Sequence, residues 1–217
     1  RGVEAAAVMA QLRTAVRAYA ADGHPPESVV DRVNRLMLGL GPMAMTTLVY
    51  LVLDPAGETL ELVSAGHPPL LIVDPSGAAS YAWALGGVPL GTTPMAVYGV
   101  ERFSLPAGSI VLAYTDGLVE RRGTSIDDGL EQLREVAAGA GDPEALCAAI
   151  VARLVPEAPE DDVAFIAARV PPLGDHLTTR WAATPDSLAP IRYLLQRWLR
   201  NRGASEDEAF DVTVASQ

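Results

Sequence analysis

The sequence predicts a fold of the α+β class, in which helices and β-strands occupy separate stretches of one chain. Two segments with apolar residues at helical spacing open the chain, over Glu4–Ala20 and Glu27–Leu38. The period then changes, and short β-branched runs separated by Pro/Gly turns continue as far as Thr115. Two further helical segments and a closing strand precede a linker at Pro171–Gly174. Helices and strands grouped in this way are typical of α+β domains.

The helices are predicted from apolar periodicity and from their end signals. Glu27 lies in the first turn of the second helix, where a carboxylate is favoured by the helix dipole. A third helix is predicted at Asp127–Ala137, and Asp142-Pro143 is a strong start signal for a fourth that ends at Leu154. The inward residues of the first helix are Ala5, Val8, Met9, Leu12, Val16 and Tyr19, and those of the second are Val29, Val30, Val33, Leu36 and Met37.

Strands are predicted from β-branched runs and from the turns between them. A turn at Asp54–Gly57 joins the first two strands into a hairpin. Pro106-Ala-Gly108 is interpreted in the same way, as the turn of a second hairpin. In chain order the predicted strands are Thr46–Leu53, Glu58–Ser64, Leu70–Val73, Glu101–Leu105, Ser109–Thr115, Val163–Val170 and Leu177–Ala183.

Composition excludes several classes of function. The formal net charge of −11 argues against nucleic acid as a partner, because neutralising phosphates requires clustered Lys and Arg. Cys147 is the single cysteine, so no disulfide framework is expected, and the chain is compatible with a reducing cytoplasm. No apolar run approaches the ~18 residues of a membrane span. We therefore expect a cytoplasmic protein with no membrane segment and no nucleic-acid partner.

Acidic residues at two predicted strand ends suggest a metal site. Asp116 follows an apolar run, and the pair Asp161-Asp162 precedes the last one. Carboxylates held at strand ends suit an oxygen-preferring cation such as Mg²⁺ or Mn²⁺. The alternative for Asp116 is a turn residue that bonds its own backbone, and for Asp161 and Asp162 a solvated strand entry. His67 has two interpretations as well: a ligand or proton carrier, or a structural loop residue bonded to backbone.

The order of these motifs resembles the SpoIIE/RsbU branch of the metal-dependent protein phosphatases, the PPM or type 2C family. The resemblance covers about residues 1–170 and predicts a phosphatase domain over 1–171, followed by a linker at 172–176. It is carried by Gly2-Val-Glu-Ala-Ala-Ala-Val-Met9, Met45-Thr-Thr-Leu-Val-Tyr50, Ser64-Ala-Gly-His-Pro-Pro69, Pro89-Leu-Gly91, Tyr114-Thr-Asp-Gly-Leu-Val-Glu120 and Asp161-Asp-Val163.

The resemblance implies a four-layer α/β/β/α sandwich of two antiparallel sheets, with a centre of two Mn²⁺ or Mg²⁺ ions in the cleft between them. Asp116 and Asp161 match metal ligands of the family and are its catalytic positions here; Gly117 and Asp162 are expected beside them. The implied reaction is hydrolysis of phosphoserine or phosphothreonine by a metal-activated water. If the hypothesis is right, the Asp116 and Asp161 carboxylates should lie roughly 5 Å apart or less, given ~2.1 Å metal–oxygen bonds.

One departure concerns the Asp that bridges the two metals, which the family carries in a Gly-Asp-x-x-Gly-x-Gly segment. Arg1-Gly2 resembles the end of that segment, so the bridging Asp is expected just upstream of Arg1. This puts in doubt the activity of the chain as given, though not that of its parent. The two opening helices would adjoin that metal loop, and we predict that they carry regulation; ordinary covering helices are the alternative.

The residues from 177 to 217 resemble the first strand and helix of a GHKL-type anti-sigma serine kinase. Trp181-Ala-Ala-Thr-Pro185 and Ile191-Arg-Tyr-Leu-Leu195 carry this likeness. A helix is predicted at Pro185–Asn201, and Gly203 just after it is the expected C-terminal cap. Ser205 with Glu208 has the form of a new helix start.

The partners implied by the resemblance are a phosphorylated anti-anti-sigma (STAS-type) protein as substrate, an upstream sensor domain in the same polypeptide, and a second copy in a homodimer. The expected setting is bacterial sigma-factor regulation in a stress response. The competing hypothesis is a catalytically inactive phosphatase fold that binds a regulatory partner. A GHKL kinase is a third interpretation, which fits the tail alone.

Overall fold

The structure is a computed structural model. It describes residues 3–40, 45–54, 58–84, 86–120, 123, 125–156 and 162–171, and in the tail 195–196, 198–199, 203–205 and 207–208. Within these residues no helix combines the length and the apolar character needed to cross a membrane.

Four helices form where the sequence predicts them: α1 (Val3–Ala21), α2 (Pro26–Gly39), α3 (Ile126–Ala137) and α4 (Pro143–Leu154). The start of α3 is closed by a capping box, because Ser125 accepts from the backbone N–H of Asp128 and the Asp128 side chain accepts from Ser125. The start of α4 is capped by Asp142, which accepts from the N–H of Ala145 at 2.8 Å, with Pro143 as its first residue. The predicted cap at Asp142 is therefore confirmed.

Among the described residues, seven strands form two antiparallel sheets. The first sheet has the order β1-β2-β5 and the second the order β4-β3-β6-β7. The strands are β1 (Leu48–Asp54), β2 (Thr59–Ala65), β3 (Leu70–Val73), β4 (Ala79–Ala82), β5 (Glu101–Ser104), β6 (Ile110–Tyr114) and β7 (Phe165–Arg169). The predicted β1–β2 hairpin is confirmed, with Leu51 opposite Leu62, although its turn at 55–57 lies outside the described residues.

The core consists of three apolar layers that follow the alternation of side chains along each strand. Leu60 and Leu62 of the first sheet pack against Ile72 and Val111 of the second, so the two sheets bury their inner faces against each other. The outer face of the first sheet is covered by α1 and α2, and that of the second by α3 and α4. The order of layers is therefore α/β/β/α, and the predicted four-layer sandwich is confirmed.

The predicted second hairpin is wrong. β5 pairs with β2 in the first sheet, whereas β6 pairs with β3 and β7 in the second. The turn at Pro106–Ser109 therefore carries the chain from one sheet to the other instead of folding it back on itself. β4 was not predicted; it forms because the tight turn at Asp74 returns the chain beside β3.

The described residues of the tail agree with its predicted helix signals. Gly203 has φ +86°, and the N–H of Ala204 donates to the Leu199 carbonyl at 3.1 Å, as in a glycine-capped helix end. Ser205 and Glu208 form the reciprocal bonds of a capping box. The predicted strand at 177–183 and the linker at 172–176 lie outside the described residues.

Candidate active site

Three loops meet at one edge of the second sheet. β6 runs antiparallel to both of its neighbours, so its carboxyl end lies beside the starts of β3 and β7. Asp116 follows β6, Asp162 precedes β7, and His67 precedes β3. The connection from β2 to β3 also crosses between the sheets here. The fold therefore places, at one end of the second sheet, loops that are about 50 positions apart in sequence.

Thr115 ties two of these loops together. Its backbone N–H donates to the Ala164 carbonyl at 2.8 Å, and the Ala164 N–H donates to Thr115 Oγ1 at 2.9 Å. The same hydroxyl group donates to the Asp162 carbonyl oxygen at 3.1 Å. Through these bonds the half-buried Thr115, which precedes Asp116, holds the loop that carries Asp116 against the backbone of Asp162 and Ala164. The sequence motif contained Thr115, but its role emerges only from the pairing of β6 with β7.

Asp116 begins a single 3₁₀ turn, Asp116–Leu118, and its side chain is exposed. Its carbonyl oxygen accepts from the N–H of Val119 at 2.9 Å and of Glu120 at 2.7 Å, which closes the turn. Leu118 and Val119 are buried against α3, so the turn is anchored below while Asp116 faces outward. Oδ1 of Asp116 accepts from the N–H of Gly117 at 2.9 Å, the local bond that the turn-residue interpretation predicts. This bond does not decide between the two interpretations, since a ligand carboxylate can make it too.

The residues at this edge are of the types that bind a hard divalent cation. Asp116 and Asp162 are exposed carboxylates on adjoining loops, and Gly117 adds a half-buried backbone position beside them. Carboxylate and carbonyl oxygens are the ligands that Mg²⁺ and Mn²⁺ prefer. The described part of the chain holds no group of three acidic, His or Cys side chains suited to a metal. Asp161 lies outside the described residues, so its expected distance from Asp116 stays a prediction.

The loop that carries His67 is held rigidly at several points. Ser64 Oγ accepts from the His67 N–H and donates to the His67 carbonyl, both at 3.2 Å. Gly66 has φ +69°, and a Cβ there would lie 2.6 Å from the ring of Pro89. A Cβ on Gly87 would lie 1.8 Å from the Ser64 carbonyl oxygen. Glycine at both positions allows the segment before β3 and the segment around Pro89 to lie in direct contact.

Two supporting residues escaped prediction. Asn34 is buried on the inward face of α2; its Oδ1 accepts from the N–H of Gly91 at 2.9 Å and its Nδ2 donates to the Thr93 carbonyl at 3.1 Å. It therefore fixes the Pro89-Leu-Gly91 segment. Gly129 lies inside α3, where a Cβ would stand 1.9 Å from the Val119 carbonyl oxygen. In the sequence, Asn34 is visible only as an amide on an apolar helix face and Gly129 only as a glycine within a helix. Neither pattern indicates which residues it contacts.

Two tyrosines, Tyr81 of β4 and Tyr114 of β6, lie on the face of the second sheet that packs against α3 and α4. The Tyr81 hydroxyl donates to the Leu130 carbonyl of α3 at 2.6 Å, and burial raises the pKa of Tyr81 to about 12. Burial also raises the pKa of Tyr114, whose hydroxyl is buried without a hydrogen-bond partner among the described residues. Both phenols stay neutral in the folded protein at ordinary pH, and the bond from Tyr81 links β4 to α3.

The two packed antiparallel sheets, covered by two pairs of helices, are the fold of PP2C-type phosphatase domains. A family model described as Stage II sporulation protein E (SpoIIE) matches residues 1–171. The chain belongs to this family. The predicted family resemblance is thereby confirmed, whereas the start of a GHKL kinase stays a prediction.

Several proteins of known sequence or structure are similar to this chain. The RsbU and RsbW domains of Rv1364c from Mycobacterium tuberculosis match with a TM-score of 0.71 and 30% identity, over 98% of this chain and 62% of that one. Protein IcfG of Synechocystis is 29% identical over 83 residues, which are 38% of this chain and 13% of that protein. RsbX, solved in complex with magnesium, shares the fold with a TM-score of 0.59 at 20% identity, over 77% of this chain and 74% of its own. The chain thus spans less than two thirds of the first two of these relatives.

Proposed function

We propose that the polypeptide to which this chain belongs is a metal-dependent protein serine/threonine phosphatase. The observation that carries the proposal is the convergence of the Asp116 and Asp162 loops at one sheet edge, joined through Thr115. Membership of the SpoIIE family supports it. Asp116 and Gly117, with Asp161 and Asp162, would hold Mn²⁺ or Mg²⁺.

Such ions, when bound, would supply charge stabilisation for the phosphate and a reactive water for its hydrolysis. The contribution of the chain is to hold its oxygen ligands in place. The 3₁₀ turn fixes Asp116 on a buried base of Leu118 and Val119, and Thr115 keeps the entry to β7 alongside. The loops that carry the carboxylates are held by backbone hydrogen bonds and buried apolar contacts. Their conformation therefore does not depend on the exposed, negatively charged carboxylates themselves.

The proposed substrate is a phosphorylated anti-anti-sigma protein, and the proposed setting is cytoplasmic sigma-factor regulation. The similarity to a protein with RsbU and RsbW domains supports this choice, since it covers 98% of the chain. It also supports a division into a phosphatase domain at 1–171 and the start of a kinase-like domain at 177–217. Regulation through α1 and α2, by an upstream sensor or in a homodimer, belongs to the same proposal.

The test is the variant Asp116→Asn in a polypeptide that extends upstream of Arg1. The amide keeps the shape of the side chain but loses the charge that holds a cation, so Mn²⁺-dependent hydrolysis of a phosphoprotein should fall to background. The matched control is Asp127→Asn, which removes an exposed acid from the first turn of α3 and should keep wild-type activity.

Thermal unfolding without metal should show both variants folded. If Asp116→Asn keeps wild-type turnover, Asp116 is a turn residue and the proposed site is wrong. If the unsubstituted polypeptide binds a phosphorylated partner but never turns it over with Mn²⁺ or Mg²⁺, the chain is the alternative, a partner-binding module with an inactive phosphatase fold.

A further inference from the structure

His67 lies in the loop that enters β3, beside the end of β6 that leads to Asp116, and its ring nitrogen Nδ1 has a hydrogen-bond partner. The side chain is half-buried, and Nδ1 lies 2.9 Å from the Pro68 carbonyl oxygen. A carbonyl oxygen only accepts hydrogen bonds, so Nδ1 carries the hydrogen in this contact. The contact engages one ring nitrogen, and Nε2 is the atom through which the ring can act on a substrate.

The surroundings hold His67 in a fixed position, unlike a histidine on a loose surface loop. Ser64 binds the backbone of His67 at both its N–H and its carbonyl. Pro89 lies against Gly66, and Gly87 lies against the Ser64 carbonyl. Fixed placement of a side chain before substrate arrives is what proton transfer requires.

Among the described residues of the three loops, His67 is the side chain with a proton to donate. Ionised Asp116 and Asp162 can only accept hydrogen bonds. The hydroxyls of Ser64 and Thr115 are already bonded to backbone. Among the described residues of the three loops, His67 is therefore the side chain suited to give a proton to a substrate.

We propose that His67 is the general acid of the phosphatase reaction, an inference that rests on the function proposed above. The water oxygen forms a bond to phosphorus while the bond from phosphorus to the serine or threonine oxygen breaks. The electron pair of that bond goes to the side-chain oxygen, which takes the Nε2 proton of the imidazolium form of His67 and leaves as an alcohol, so that a neutral ring with its hydrogen on Nδ1 remains. The attacking water loses its proton to solvent, and the imidazole regains one from solvent.

The test compares two substrates in a polypeptide that extends upstream of Arg1, with Mn²⁺ present. A phosphoserine peptide releases an alkoxide unless it is protonated, whereas p-nitrophenyl phosphate releases a stabilised phenolate that needs no proton. His67→Gln should lower kcat for the peptide by roughly 10²-fold or more, the usual contribution of a general acid. The same variant should hydrolyse p-nitrophenyl phosphate within a few-fold of the wild-type rate.

Two further variants separate catalysis from loop structure. His67→Asn keeps a donor near the position of Nδ1, so it can still bond Pro68, but it has no atom at Nε2. It should lose activity on the peptide as His67→Gln does. His24→Gln, in the α1–α2 turn where the ring packs edge-on against Tyr19, is the matched control and should behave as wild type on both substrates.

An equal loss on both substrates would overturn the proposal, because it would mean that His67 only shapes the loop. Wild-type turnover of the peptide by His67→Asn would also overturn the proposal, because it would mean that only the contact with Pro68 matters and that Nε2 gives no proton. If the wild-type polypeptide hydrolyses neither substrate with Mn²⁺, the proposed phosphatase function is itself refuted, and this inference with it.

Discussion

The contact between α3 and the Asp116 turn gives a test of how the site is positioned. A Cβ at Gly129 would stand 1.9 Å from the Val119 carbonyl oxygen and 2.8 Å from its carbonyl carbon. Ordinary contact for such a pair begins near 3.4 Å, so Gly129→Ala must move the two backbones apart by about 1.5 Å. Val119 closes the turn that begins at Asp116, so the displacement falls on the candidate ligand.

The expected change in stability follows from two opposing terms. Replacing Gly by Ala inside a helix stabilises it by about 0.5–1 kcal/mol. Forcing an extra methyl into a packed contact costs about 1–3 kcal/mol. Gly129→Ala should therefore lower the free energy of unfolding by up to about 2.5 kcal/mol, and the N–H groups of Val119 and Glu120 should exchange faster with solvent.

The matched control is Gly39→Ala. Gly39 is the last residue of α2, and a Cβ there would meet nothing within 4 Å. This variant should show unchanged or slightly raised stability, with unchanged exchange at Val119 and Glu120. Urea unfolding and hydrogen exchange of both variants make the comparison. If Gly129→Ala matches Gly39→Ala in both measurements, α3 does not brace the turn and the reasoning is refuted.

Two further predictions concern the supports of the same edge. Thr115→Val should cost about 0.5–1.5 kcal/mol, because it removes the hydrogen bond from the Ala164 N–H at a position open to solvent. Thr115→Ser keeps the hydroxyl and should retain most of the stability, and equal urea midpoints for the two would contradict this. Burial raises the pKa of Tyr81 from near 10 to about 12. The folded state thus favours the neutral phenol, and this contribution to stability is complete below pH 10 and is lost as the pH rises towards 12. Tyr81→Phe should make the decline in this window shallower, and an unchanged slope in urea titrations across it would show that Tyr81 does not couple to folding.

Much of the local structure could be predicted from the sequence because its signals are local. The helix starts at Ser125 and Asp142 depend on side chains that bond backbone groups three residues away. The spacing of Leu60 and Leu62 on either side of Glu61 predicts a strand, and both residues are fully buried between the two sheets. The motif strings also located Asp116 at a strand end, where the structure places it.

The assignment of strands to sheets could not be read in this way. Pro106-Ala-Gly108 is a turn in either case, and nothing local distinguishes a hairpin from a crossing between sheets. The choice depends on which partner strand buries the apolar face of β6, and that is a contact between segments far apart in the chain.

The sequence by itself determined most of the elements, the family and the residue types of the site, since each is encoded in neighbouring positions. Only the tertiary structure decided that Thr115 joins the two acidic loops, that Gly129 abuts the Val119 carbonyl, and that His67 lies at the same edge. The physical reason is that these contacts depend on the pairing of β6 with its neighbours and on the close approach of backbone segments that are distant in sequence. A glycine or a threonine in the sequence does not indicate which distant segment it will contact.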